Sequence, residues 1–181
     1  QEARPTGSAG GIPVRISHAQ GVTSISFTLD YDPALLFVSG VALAVPGANV
    51  AADTSEPGHL VIAVTVTGIV GLGAEPTDLV RILASVPVGA PYGASHLLDL
   101  GNIVLGGNEA LTTARDDDGL HVVAYAGDAD RDGQYTSADV QAIQRVLIRV
   151  DGGLPAYPLL DPYVIGNVDG MPSFSGPDRL P

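Results

Sequence analysis

Between Ile12 and Ala126, apolar residues recur at every second position, in short runs broken by glycine, proline and aspartate. A period of two puts successive side chains on opposite faces of an extended strand. A chain patterned this way can bury one face of each strand and wet the other. In Ser24–Asp30, Ile25, Phe27 and Leu29 read as core, and Ser24, Ser26, Thr28 and Asp30 as solvent-facing. The same reading gives strands at Ile12–His18, Thr23–Tyr31, Leu35–Leu43, Leu60–Thr67, Leu79–Val86, Leu97–Val104 and His121–Ala126. Leu79–Val88 is apolar at most positions, as a central strand covered on both faces would be. Seven short strands separated by turn signals, with no competing helical period, predict a mainly β fold, a sandwich of the jelly-roll type.

The pattern changes after Ala126. Over Ser137–Val150 the apolar residues Val140, Ile143, Val146, Leu147 and Val150 share one side, and Gln141, Gln144, Arg145 and Arg149 the other. This predicts an amphipathic helix with Ser137 as its N-cap. Gly152 and Gly153 end it, and Pro155 and Pro158 prevent its resumption. Residues 1–126 therefore read as a sandwich, and 127–181 as a separate small module.

Just before that helix lies Asp128-Ala-Asp-Arg-Asp-Gly-Gln-Tyr-Thr-Ser-Ala-Asp139. Carboxylates at loop positions 1, 3, 5 and 12, with glycine at 6, have the spacing of an EF-hand-like calcium loop. In such a loop Asp128, Asp130 and Asp132 converge on one hard cation. Gln134 offers its backbone carbonyl, Thr136 a hydroxyl or bridged water, and Asp139 closes the sphere from the first helical turn. Carboxylates this crowded repel one another unless a cation sits among them. Mg²⁺ fits poorly, because it gives up its water reluctantly. A degenerate echo follows at Asn167, Asp169, Ser173, Ser175 and Asp178. There Met171 occupies the fifth position and Pro172 the sixth, so a second calcium is a weaker expectation.

Composition removes several functions. The formal charge is −12 in 181 residues, which is the wrong sign for a nucleic-acid-binding face. Cysteine is absent, excluding disulfides and thiolate metal sites. No run is long and apolar enough to cross a membrane as a helix. His18, His59, His96 and His121 are far apart in sequence and read as isolated surface or strand residues. Asp116-Asp117-Asp118-Gly119 reads as a turn before the last strand. No nucleophile elbow or phosphate loop is present, so a non-enzymatic role is expected. A start at Gln1, with no initiator Met and no signal-like apolar segment, is expected of a mature, processed or trimmed product.

The first half resembles a cohesin-like sandwich. The resemblance rests on Ile12-Pro-Val-Arg-Ile-Ser-His18, Gly21-Val-Thr-Ser-Ile-Ser-Phe-Thr-Leu-Asp-Tyr-Asp-Pro33 and Arg81-Ile-Leu-Ala-Ser-Val-Pro-Val-Gly-Ala-Pro91. The segment Gly127–Arg149 resembles the first repeat of a type I dockerin, and Asn167–Asp178 the start of a damaged second one. These resemblances imply non-catalytic protein–protein binding and a calcium-folded tail. They also imply that Ser137, Ala138, Gln144 and Arg145 face a partner. A cohesin-like fold usually starts with a full strand before Ile12, yet Gln1–Gly11 holds Pro5, Gly7, Gly10 and Gly11, poor strand formers. A missing strand would leave an open edge ready for a strand from another chain.

The expectation is an extracellular or cell-surface, calcium-stabilised structural protein that self-assembles head to tail with other copies. The alternative is a carbohydrate-binding or scaffold module of a larger surface protein, contacting polysaccharide. Low aromatic content, with no tryptophan, makes a sugar-stacking platform the weaker of the two.

Overall fold

The computed structural model describes residues 11–66, 72–107 and 114–166. Eight strands and two helices occur among them: β1 (Ile12–Ile16), β2 (Ser24–Asp30), β3 (Phe37–Leu43), β4 (Ala48–Glu56), β5 (His59–Val66), β6 (Thr77–Ser85), β7 (Ser95–Gly106), β8 (Gly119–Val122), α1 (Ser137–Leu147) and α2 (Pro162–Gly166). Two antiparallel sheets result, one ordered β1-β6-β3 and the other β4-β5-β2-β7-β8.

The alternation does what period two requires. In β5, Leu60, Ile62 and Val64 are buried while Val61, Ala63 and Thr65 are exposed. With Ile25, Phe27 and Leu29 of β2 they meet Val38, Leu79, Val80 and Ile82 of the other sheet in one core. Each such side chain contributes about 1.5–3 kcal/mol by leaving water. Consecutive Leu79 and Val80 are both buried, as expected for β6, which lies between β1 and β3. Thr28 departs from expectation: it is buried. Opposite Phe27, the β2–β7 register skips, and Asn102 takes a left-handed φ of 50°. From there Asn102 donates its amide to Thr28 Oγ1 at 3.2 Å. Asparagine tolerates this conformation better than most residues.

One strand was not visible in the pattern. β4 is exposed at most positions and, among the described residues, pairs only with β5. An edge strand facing water needs no apolar alternation; its only signal was the Pro57-Gly58 turn after a polar run. The third strand begins two residues later than expected, because Leu35 and Leu36 are held in a turn by the Asp32 carbonyl. The last one ends at Val122 instead of Ala126, since the Val123 carbonyl bonds the Gly93 amide.

The described residues fall into two compact units. The strands make one; Pro91–Gly93 and the residues from Val123 onward make the other. The second unit thus starts a few residues before 127 and recruits three residues that lie between β6 and β7 in sequence. No helix among the described residues is long and apolar enough to cross a membrane.

Candidate metal centre and open sheet edge

Within the second unit, carboxylate oxygens of Asp128, Asp130 and Asp139 lie within 4.8 Å of one another. The loop brings them there by hydrogen bonds to its own backbone. Asp128 Oδ1 accepts from Asp132 N at 3.2 Å, and its Oδ2 from Gly133 N at 2.8 Å. Asp139 Oδ1 accepts from Ala129 N at 2.8 Å and from Asp130 N at 3.3 Å. Gly133, at the sixth loop position, has φ 77°, the conformation that favours glycine there.

Asp132 is exposed and outside this trio; its Oδ1 accepts from Gln134 N at 2.7 Å. Thr136, not Ser137, caps α1: its side chain accepts from Ala138 N, and Asp139 Oδ2 accepts from Thr136 N at 2.7 Å in a capping box. The same carboxylate therefore starts the helix and faces the loop interior. The helix ends at Leu147, short of Val150, because Arg149 turns left-handed at φ 58°. Val140 and Val150 are more than half exposed. Asn167, Asp169, Ser173, Ser175 and Asp178 lie outside the described residues.

The electrostatics suit a cation. Backbone donors, first that of Thr136, hold the Asp139 carboxyl below its usual range. Burial, then repulsion from Asp132, Asp139 and Asp128, pushes Asp130 the other way. All the donors are oxygens, the chemistry of a hard ion. The trio could hold one calcium.

Two supports escaped the sequence reading. Tyr92 donates its hydroxyl to Asp128 Oδ2 and lies 3.3 Å from the Tyr157 hydroxyl. Arg131, itself at φ 65°, donates from Nη2 to the Gly93 carbonyl. Tyr92 also stacks on Tyr125 at 4.9 Å. Tyr157 is buried, whereas Tyr135 is exposed. The loop start is tied further by Gly127 N donating to the Ile165 carbonyl of α2. That helix is signalled by Asp161-Pro162: Asp161 Oδ1 accepts from Tyr163 N, with proline in the first turn.

Of the expected partner-facing residues, Ser137 and Ala138 are exposed on the first turn of α1. Gln144 lines a shallow groove of about 290 Å³ with Tyr135, Val140 and Ile143. Arg145 is engaged within its own chain, in a two-pronged pair with Asp151 at 2.6 and 2.8 Å.

In the sandwich, β1 is the edge of its sheet among the described residues, and β8 pairs only with Ser95–Leu98 of β7. An open groove of about 530 Å³ lies here, walled by Val14 and Ile16 on one side, Leu100, Ile103 and Leu105 on the other, with Phe27 and Leu79 among its lining. Asp99, Asp116 and Asp118 also approach one another, all exposed, and Asp118 Oδ1 accepts from Leu100 N at 3.0 Å. Two histidines expected to be isolated are not: His96 stands opposite His121 across β7 and β8.

The cohesin domain family matches residues 1–129. The chain belongs to the cohesin family. Cohesin domains are protein–protein interaction modules without catalysis. This cohesin is similar in structure to a non-cellulosomal cohesin from the hyperthermophilic archaeon Archaeoglobus fulgidus, with 21% identity and a TM-score of 0.51 over 67% of this chain and 86% of that one. It is also similar to the cohesin module of a Clostridium perfringens family 33 glycoside hydrolase, with 19% identity and a TM-score of 0.45 over 57% and 73% of the two chains. No curated protein matches it. The family match ends inside the acidic loop and leaves α1 outside.

Proposed function

We propose that this cohesin is an extracellular structural module, stabilised by calcium in its loop–helix tail, that associates with other copies of itself. The single observation that carries the association is the apolar groove beside β1, the edge strand of its sheet among the described residues. Unpaired N–H and C=O groups along an edge accept an added strand, and pockets between alternate side chains select it. A contact of this kind is heterologous, so it closes into rings or runs on as filaments. The tail reads as dockerin-like: the loop spacing and the convergence of Asp128, Asp130 and Asp139 support calcium there, with Asp132, Gln134 and Thr136 supplying remaining oxygens when an ion binds.

The test is mass by light scattering and electron microscopy of the purified chain in calcium and in EDTA. Oligomers or filaments are expected in calcium, and Ile103→Arg in the groove wall should leave a folded monomer. A monodisperse monomer of the unaltered chain at high concentration in calcium would sink the proposal. Binding of that monomer to polysaccharide, unaffected by EDTA, would favour a scaffold or carbohydrate-binding module instead.

A further inference from the structure

β7 and β8 each carry one histidine, and the register places His96 opposite His121. The rings meet edge to face, centroids 4.9 Å apart. Three of their four ring nitrogens, both of His96 and Nδ1 of His121, are sealed from solvent with no hydrogen-bond partner. A neutral imidazole offers one donor and one acceptor, and a protonated one two donors. Protonation here would add a donor and a charge where no acceptor waits.

We propose that His96 and His121 form an acid-sensitive latch, which keeps the edge strand β8 on β7 at neutral pH and releases it on acidification. β8 is four residues long and, among the described residues, paired on one side only, so few bonds must break. The rest of β7 stays in place because β2 pairs it over Asp99–Gly106, whereas Ser95–Leu98 pairs only with β8 among the described residues. Release bares the β7 edge at Ser95–Leu98 and slackens the chain just before it enters the second unit at Val123.

The charges acting on the pair are few. Asp32, in the turn after β2, favours protonated His96, while charge on His96 disfavours protonation of His121. Burial outweighs these, holding His96 below its ordinary range and pushing His121 down to about 4. A histidine depressed in the closed state is neutral there and gains a proton when exposed. The closed state is therefore fully favoured above about pH 6.5 and progressively less so as pH falls toward the folded value.

The experiment is amide hydrogen exchange by NMR on the whole chain in saturating calcium chloride, at pH 7 and pH 5, with rates corrected for their intrinsic pH dependence. Between the two, the β8 amides should lose protection on the order of tenfold relative to those of β5. His121→Phe should keep the protection at pH 7 and reduce the loss at pH 5 to the smaller share that His96 contributes. Any acid effect on the calcium loop is common to both proteins and cancels. An equal loss in His121→Phe overturns the latch. Should that variant fail to fold, the imidazole resonances of the unaltered chain decide: a midpoint well below 6.5 for His121 upholds the latch, and an ordinary one overturns it.

Discussion

Tyr92 and Asp128, 36 residues apart in sequence, share a hydrogen bond between the phenol hydroxyl and Oδ2. Asp128 is fully buried, so that bond helps fix the first residue of the acidic loop. Tyr92→Phe leaves the Oδ2 with the Gly133 amide as its remaining described partner. Loss of one bond to a buried carboxylate costs about 1–3 kcal/mol. The thermal midpoint of the loop–helix unit in EDTA should fall by several degrees, read from tyrosine fluorescence. An unchanged midpoint would show that the phenol does not position Asp128.

Asp139 joins two tasks, capping α1 and closing the loop. Asp139→Ala should therefore lose the capping box, about 1 kcal/mol, and with it the calcium dependence of helix content. Far-UV circular dichroism during a calcium titration separates the two. The unaltered chain should gain helical signal with calcium, and the variant should not. Retention of a full calcium response in the variant would remove Asp139 from the ligand set.

Acid should oppose calcium. The folded Asp139 carboxyl is held below its unfolded value by backbone donors. The stability it confers is thus present above the unfolded value, about 4, and lost as pH falls through the folded one. Asp130 has the opposite sign: burial and like charges raise it, so its ionisation destabilises the metal-free loop as pH rises, and a cation relieves that repulsion. Calorimetric calcium affinity should fall from pH 7 to pH 4.5, with proton release growing as pH drops. A pH-independent affinity would argue against carboxylate ligation.

Gly93 has φ 76°, and a methyl group there would collide with the Arg131 guanidinium. Gly93→Ala combines a strained backbone with displacement of Arg131 from the Gly93 carbonyl, at a cost of about 1–3 kcal/mol. Limited proteolysis should cut the 127–135 loop faster in this variant. Adding Arg131→Ala should recover part of the loss, because it removes the clash. No recovery would mean that the strain resides in the backbone alone.

In the core, Ile62→Ala should cost about 2–5 kcal/mol, since Ile62 is fully buried between the sheets. Val61→Ala, next to it on the exposed face, should cost far less. Chemical denaturation measures both, and equal losses would contradict the two-faced strand.

The sequence by itself determined the strands whose faces differ, because burial on one side writes a period of two into the residues. It also determined the acidic loop and its glycine, because carboxylates that bond nearby backbone amides and a tight turn each demand particular residue types at close spacing. Neither constraint reached β4, which faces water and carries no alternation. The N-cap fell to Thr136 because the Asp139 carboxylate bonds the Thr136 amide, a choice between neighbouring hydroxyls that composition cannot make. Long-range pairing was decided only by the tertiary structure. The sheet register sets His96 against His121, and the fold returns Pro91–Gly93 to the loop, giving Asp128 its tyrosine and Arg131 its carbonyl. Such contacts depend on chain path, and residues far apart in sequence carry no local pattern that announces their meeting.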